Sequence, residues 1–430
     1  MNRLRLGIIF IVFYWITPVE AQDTLVDLRS FKPSRPELIA MFQMWATYSP
    51  QHEQYLAGGS MPGTYFPTRN IWNFQLRRTR LGIRGEILPR LHYTAILAFD
   101  QIGHDALAGT TGGANNGAFP GVGILDAYVT WGIRRDGKGI HLTAGYFRPQ
   151  YGRESITSGF AVNSIEKTMD QNYLRDHMVY SNPGRAAGIN AGCQMRLGSD
   201  KAWLRWDAGL FNPDQGYPGN FPLLGVGRIA GTWGDPESEG YSLSHRINYF
   251  GKRRGLTVGL GGSLGRGQAF YDRSWTYGLD LLWNHGPFQL DGEIHWLGRD
   301  LSPSGGDPIF NGDQYVSRTG HLRAGVNISL DHLGHLEPTV AWAFFYGGMS
   351  ENDQGLAVGA QAPAGREFYF EPGVNWWFNA RTVLQLHYTF RQGQAGHAGD
   401  GAEVNSYFTQ SGLGAIRRGD WAGLALRWML

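Results

Sequence analysis

One stretch constrains this chain more than any other: Phe74 to Phe99 reads as a β-hairpin whose two long strands meet at Leu88-Pro89-Arg90. In the second strand Leu91, Tyr93, Ala95, Leu97 and Phe99 alternate with His92, Thr94, Ile96, Ala98 and Asp100, a period of two residues. In the first, Leu81, Ile83 and Ile87 share one parity, and Arg78, Arg80, Arg84 and Glu86 the other. A soluble sandwich would turn its apolar side to a core and its charges to bulk water. The same amphipathic strand recurs along the chain with no core-forming helix between copies, and that repetition favours a transmembrane antiparallel barrel.

Length alone would suggest two or three domains for 430 residues, but no linker divides the chain. Charged residues are only 17% and aromatics 13%, with 62 glycines, a profile that suits many strands with aromatic girdles better than a helical enzyme. A net charge of +2 leaves no nucleic-acid footprint, so any electrostatic function must come from local clustering. Cys193 is the single cysteine, which excludes an internal disulfide framework, and its parity with Ile189, Ala191 and Met195 makes it a small apolar side chain on a strand. No Cys/His cluster offers a zinc site, and neither metal nor nucleotide cofactor is implied.

Residues 1–21 follow the order of a secretory signal: Arg3 and Arg5, an apolar run from Leu6 to Ile16, then Val19-Glu20-Ala21. The run falls short of the ~20 residues a spanning helix needs. Cleavage after Ala21 would remove Arg3, Arg5 and Glu20, leaving 36 basic and 35 acidic side chains, a net +1. The expected organisation is a signal peptide at 1–21, a short periplasmic lead at 22–36 and one barrel domain at 37–430.

Connection lengths test the topology, because outer-membrane barrels alternate short periplasmic turns with longer external loops. Long connections fall at 50–72, 103–123, 148–185, 212–224, 266–274, 298–318, 347–365 and 392–419. Between them stand tight turns such as Asn284-His285-Gly286-Pro287. The exception is 234–254, where Tyr241 to Tyr249 is strand-like; taken as a periplasmic connection, it leaves 16 strands with both termini on the periplasmic side. On the hairpin from Ile124, Leu125, Ala127, Val129 and Trp131 are expected to face out against Asp126, Tyr128 and Thr130. At the end, Leu424, Leu426, Trp428 and Leu430 alternate with Gly423, Ala425 and Arg427, as a closing strand would.

Four stretches give a more specific likeness: Phe74 to Gly85 (FQLRRTRLGIRG), Leu125 to Val129 (LDAYV), Ala144 to Glu154 (AGYFRPQYGRE) and Arg185 to Ile189 (RAAGI). Together they resemble the phosphate-selective porin O and P family. The resemblance implies a 16-stranded outer-membrane barrel of a Gram-negative cell, often a homotrimer, through which small solutes diffuse with a preference for anions. It also implies that the segment after Tyr151 folds into the barrel and narrows it. Carried over, the arginine strand maps to Arg77, Arg78 and Arg80, and the start of the constriction loop to Pro149, Tyr151, Gly152 and Glu154. The family's phosphate-selective members rely on lumen arginine ladders and a lysine cluster, whereas Lys is scarce here, so general anion preference is the expectation.

By strand parity Arg78, Arg80, Arg84, Arg196, Arg205, Arg228 and Arg323 line the lumen, and Arg148, Tyr151, Arg153, Glu154, Glu166, Lys167, Asp170 and Arg175 populate the constriction. Rings of fixed Arg or Lys raise the potential of a narrow aqueous pore and favour anions. The bland alternative is that these arginines pair with Glu86, Asp100, Asp126 and Asp207 and merely stiffen the wall. His141, His295 and His387 share the lumen parity, but no catalytic triad or carboxylate pair is readable around them, so the expectation is a channel and not an enzyme. Gly259 to Gly265 lacks the strand-to-helix context and the Lys-Ser/Thr ending of a phosphate loop, so strand packing explains it. Two competing classes are a closed barrel serving as a structural or adhesion platform and a soluble secreted β-protein. The expected partners are outer-membrane lipid and small anionic solutes.

Overall fold

The computed structural model describes residues 35–55, 65–100, 122–133, 139–180, 184–198, 201–213, 223–268, 271–301, 313–395 and 419–430. The expected signal peptide and its cleavage point lie outside the described residues. Alternating sequence becomes paired strand throughout: β1 Glu37–Tyr55, β2 Tyr65–Leu88, β3 Leu91–Ala98, β4 Gly123–Gly132, β5 His141–Phe147, β6 Ala186–Arg196, β7 Ala202–Asn212 and β8 Leu224–Gly234. There follow β9 Gly255–Gln268, β10 Tyr271–His285, β11 Phe288–Leu301, β12 Gln314–Val326, β13 Ile328–Ser329, β14 His335–Tyr346, β15 Gly365–Asn379, β16 Thr382–Ala395 and β17 Trp421–Met429. Two-residue β13 continues β12 along β14, so the spanning strands number 16. Neighbours pair antiparallel, and β17 returns to β1 with Met41 opposite Met429 and Tyr48 opposite Ala422, which closes the barrel.

Burial is inverted relative to a soluble protein. Leu81, Ile83, Leu97, Ile189, Ile229, Leu260, Leu279, Leu386 and Leu424 are exposed, while Gln43, Asn190, Asp207, Thr257, Asp291 and Glu371 are buried. The apolar band faces lipid and the polar residues face the space the strands enclose. Free Cys193 is buried on β6, and Gly259 to Gly265 is interior to β9.

Several boundaries differ from the sequence reading. The Gly/Pro-rich stretch 50–72 is largely strand: β1 and β2 stay paired up to Tyr55 opposite Tyr65. With 19 and 24 residues, both outrun the roughly 9–11 that a tilted strand needs to cross the hydrocarbon, so the pairing extends beyond a spanning length into the stretch whose composition is loop-like. The long connection expected at 266–274 is likewise a hairpin end, since β9 runs to Gln268 and β10 starts at Tyr271. Residues 235–254 form no spanning strand, which confirms the count of 16.

Two bulges reset parity where the sequence could not show it. Gln43 pairs with Arg78 and Met44 with Leu76, so Arg77 is the extra residue and both Arg77 and Arg78 turn to the same inner partner. On β4, Ile96 pairs with Asp126 and Leu97 with Ile124. Leu125 is thereby buried at 6% exposure instead of facing out as expected, and Ile124 takes the outward position at 63%.

Candidate functional site

Between β5 and β6 the alternation stops, and the chain forms two helices, α1 Arg153–Ile156 and α2 Asp170–Val179. Almost every described residue from 149 to 180 is buried. Its partners are inner-face side chains of strands all round the ring. Gln43 of β1 donates to the Ile165 carbonyl at 3.1 Å, Arg427 of β17 to the Gly159 and Val162 carbonyls at 3.2 and 2.9 Å, and Gln385 of β16 to the Ser164 carbonyl at 3.1 Å. Asn163 donates to Glu337 of β14 at 3.2 Å, the Tyr173 hydroxyl to Glu367 of β15 at 3.1 Å, and Arg323 of β12 to Glu154 at 2.8 Å. Tyr151 lies over bare backbone: a Cβ on Gly261 would come within 2.7 Å of its ring, and one on Gly278 within 2.9 Å of its hydroxyl. The glycines of β9 and β10 make room for this segment.

Residues 235–254 meet it from the other end of the barrel. Glu237 accepts from Arg153 at 2.8 Å, Thr157 and His245 form a parallel bridge, and the Tyr241 hydroxyl donates to Asp207 of β7 at 2.6 Å. Burial raises the cost of the Glu237 charge, but Arg153 and His245 more than offset this and hold its carboxyl well below the usual range. Burial and nearby Arg205 lower His245 to about 4, against the opposing pull of Glu237. Sequence reading missed this second inward segment; its exceptional length for a periplasmic turn was the available signal.

Beside these contacts lies a cavity of about 760 Å³, lined by ten basic and three acidic side chains. From β2 come Arg77, Arg78, Arg80 and Arg84; from the β5–β6 segment Arg148, Lys167, Arg175 and Arg185; from the 235–254 segment Arg246 and from the β15–β16 turn Arg381. Each of the three acids is engaged: Glu166 by Arg77 and Arg78, Asp100 by Arg80 at 2.9 Å, and Asp126 by Arg185 at 3.3 Å. Burial alone would raise Glu166, yet the two guanidiniums bring it down to about 2.

Arg148, Lys167 and Arg175 differ from these pairs. All three donate to one carbonyl oxygen, that of Ser155, at 3.0, 3.2 and 2.6 Å; Arg148 adds the Thr157 carbonyl and Arg175 the Ser155 hydroxyl. Neutral acceptors orient these cations without cancelling their charge. Burial first, then repulsion from Arg175 and Arg148, holds Lys167 well below the ordinary lysine range, and burial with Arg185 and Arg148 does the same to Arg175.

The other lumen arginines expected from parity are balanced by carboxylates. Arg205 pairs with Asp207 at 2.9 Å and Arg228 with Asp280 at 2.7 Å, while Arg323 bridges Glu154 and Asp291, both at 2.8 Å. Arg153 joins Asp280 at 3.0 Å. Arg84 pairs with Glu37, both more than half exposed. Arg196 stands exposed at the end of β6 over the Trp203 ring, so the structure does not bring it together with the others.

Residues 61–211 match the family Phosphate-selective porin O and P. Among curated proteins no sequence matches the chain. Solved structures are similar in fold. The anion-selective porin from Comamonas acidovorans shares 14% identity at a TM-score of 0.56, over 93% of this chain and 100% of that one. The outer-membrane channel DcaP of Acinetobacter baumannii shares 11% at 0.52, over 92% and 97%, and the trimer form of OmpT, an outer-membrane protein of Vibrio cholerae, 9% at 0.51, over 92% and 100%. These likenesses show the fold, a porin-type barrel. The chain is a 16-stranded barrel of porin fold, and over residues 61–211 the phosphate-selective porin O and P family matches it, as its arginine strand and its Ala144 to Glu154 motif led one to expect.

Proposed function

We propose that this protein is an outer-membrane diffusion channel for small hydrophilic anions, with the β5–β6 segment as its infolded constriction loop. The observation that carries the reading is the cavity lined by ten basic and three acidic side chains, in which Arg148, Lys167 and Arg175 are held by carbonyl oxygens. A fixed positive field in a narrow aqueous path raises the local anion concentration and lowers that of cations. Phosphate is one such anion; the arrangement supports preference by charge. Residues 1–21 serve as a cleaved signal peptide, and the mature chain assembles as a homotrimer, as the OmpT trimer form does.

The test is the reversal potential of purified protein in a planar bilayer under a KCl gradient. Wild type should reverse toward the chloride potential. Replacing both Lys167 and Arg175 with Met should cut the anion-to-cation permeability ratio several-fold while the barrel stays folded; an unchanged ratio removes these residues from the selector. Raising pH should lower the ratio at values below those at which an ordinary lysine titrates, because the depressed Lys167 loses its proton early. A second reading, the closed surface platform, draws support from the meeting of 235–254 with the loop at Arg153 and Glu237. Folded protein that leaves the bilayer silent would favour it.

A further inference from the structure

Across the barrel from the cavity, the inner face of β11 presents Asp291, Glu293 and His295 in succession, and α2 of the loop begins against it with Asp170. Two three-residue groups there hold ligand atoms within 4.8 Å of one another: Glu154, Asp291 and His321, and Asp170, Glu293 and His295. They differ in how far they are used. In the first, Arg323 bonds both carboxylates, and His321 spans Asp170 at 2.9 Å and Asp291 at 3.1 Å.

The second is built the other way. Each side chain is fixed through one atom and leaves the other without a hydrogen-bond partner. Asp170 Oδ2 is held by His321 Nδ1, and Asp170 Oδ1 is unpartnered. Glu293 Oε2 accepts from the Glu154 backbone N–H at 3.1 Å, and Glu293 Oε1 is unpartnered. His295 Nδ1 meets the Tyr151 hydroxyl at 2.9 Å, and its Nε2 has no hydrogen-bond partner outside the group, lying 3.2 Å from Glu293 Oε1. All three residues are at least 95% buried. Orphaned buried acceptors of this kind are costly and need an account.

We infer that Asp170 Oδ1, Glu293 Oε1 and His295 Nε2 form a binding site for one divalent transition-metal cation, of the Zn²⁺ or Mn²⁺ type, that fastens the start of α2 to β11. Two carboxylate oxygens and one imidazole nitrogen suit such ions. Ligand atoms on a tetrahedral zinc at bond lengths of ~2.1 Å stand roughly 3.4 Å apart, so a bound ion would draw together atoms that now lie within 4.8 Å of one another. The other atom of each ligand is already oriented, which is the outer shell that metal-binding side chains require. Charge agrees: the four carboxylates of Glu154, Asp170, Asp291 and Glu293 cluster around the guanidinium of Arg323 and the imidazoles of His321 and His295. The site is independent of anion selectivity, since none of its three ligands lines the cavity.

Chelator-treated protein in detergent, titrated with Zn²⁺ alone by calorimetry and then desalted for metal analysis, tests the site. Wild type should retain one zinc per chain, and zinc X-ray absorption should show one imidazole nitrogen and two carboxylate oxygens. Glu293→Gln and His295→Gln should weaken binding beyond the ~100-fold seen for outer-shell changes, Tyr151→Phe should weaken it roughly tenfold, and His285→Gln on the outer surface should change nothing. Wild type that retains no zinc, equal affinity in Glu293→Gln, or a shell with two or more imidazoles overturns the proposal. Zinc-free protein with a carboxylic-acid carbonyl band that Glu293→Gln abolishes would overturn it in favour of a proton shared between Asp170 and Glu293. If the ligand variants do not fold, Tyr151→Phe and the wild-type absorption spectrum decide.

Discussion

The two sides of the lumen use the same residue type to opposite ends. Toward β8–β12, Arg228, Arg153 and Arg323 face Asp280, Glu237, Glu154 and Asp291, so their charge is compensated by carboxylates that tie together the wall, the β5–β6 segment and residues 235–254. Toward β2–β5, the cavity keeps Arg148, Lys167 and Arg175 on carbonyl oxygens, and under the proposed function their field is left for a solute. Counting arginines therefore says little about selectivity. In the proposed channel the nature of each partner decides it, because a carboxylate cancels the field that a carbonyl only orients.

The harshest way to break this contrast is Arg323→Met on the compensated side. Glu154 and Asp291 would be left as buried carboxylates without their guanidinium, a loss of about 3–5 kcal/mol. Urea unfolding followed by tryptophan fluorescence should show that drop, and a shift under 1 kcal/mol would refute the role given to Arg323.

A middle-sized effect comes from pH at the boundary between the two regimes, where Glu166 binds Arg77 and Arg78. Its folded value is depressed from 4.5 to about 2, so the stability it contributes is present above pH 4.5 and is lost as pH falls toward 2. Protonation frees both arginines. Anion preference measured by reversal potential should therefore rise over that window, and Glu166→Gln should show the raised preference already at pH 7. If preference is flat across the window in wild type, the pair does not gate the field.

Least should follow from Arg84→Gln. Its pair with Glu37 is solvent-exposed at 62% and 65%, the class of ion pair worth ~0–1 kcal/mol. Stability and permeability ratio should both stay within error of wild type; a drop in the ratio comparable to that of the Lys167 and Arg175 double variant would extend the selector to the periplasmic mouth.

Much of this was readable from the chain. Strand parity placed Leu81 and Ile83 outside and Arg78 and Arg80 inside, and the alternation of short and long connections gave 16 strands once 234–254 was assigned to the periplasmic side. Both depend on neighbours in sequence, since a pleated strand sends successive side chains to opposite faces. Where a bulge added a residue, as at Arg77 and at Leu125, parity failed, because bulges arise from pairing with another strand.

The lumen chemistry belonged to tertiary structure. Glu166 reaches Arg78 across 88 residues and Glu154 reaches Arg323 across 169, so no local pattern told a neutralised arginine from an available one. The same holds for Asp170 against Glu293 and His295, and for 235–254 against the loop. The sequence by itself determined that this chain closes into a membrane barrel with charge inside, because period-two amphipathicity in lipid has that one stable outcome. Only the closed barrel decided which of those charges meet a carboxylate and which a carbonyl, since that depends on what each faces across the enclosed space.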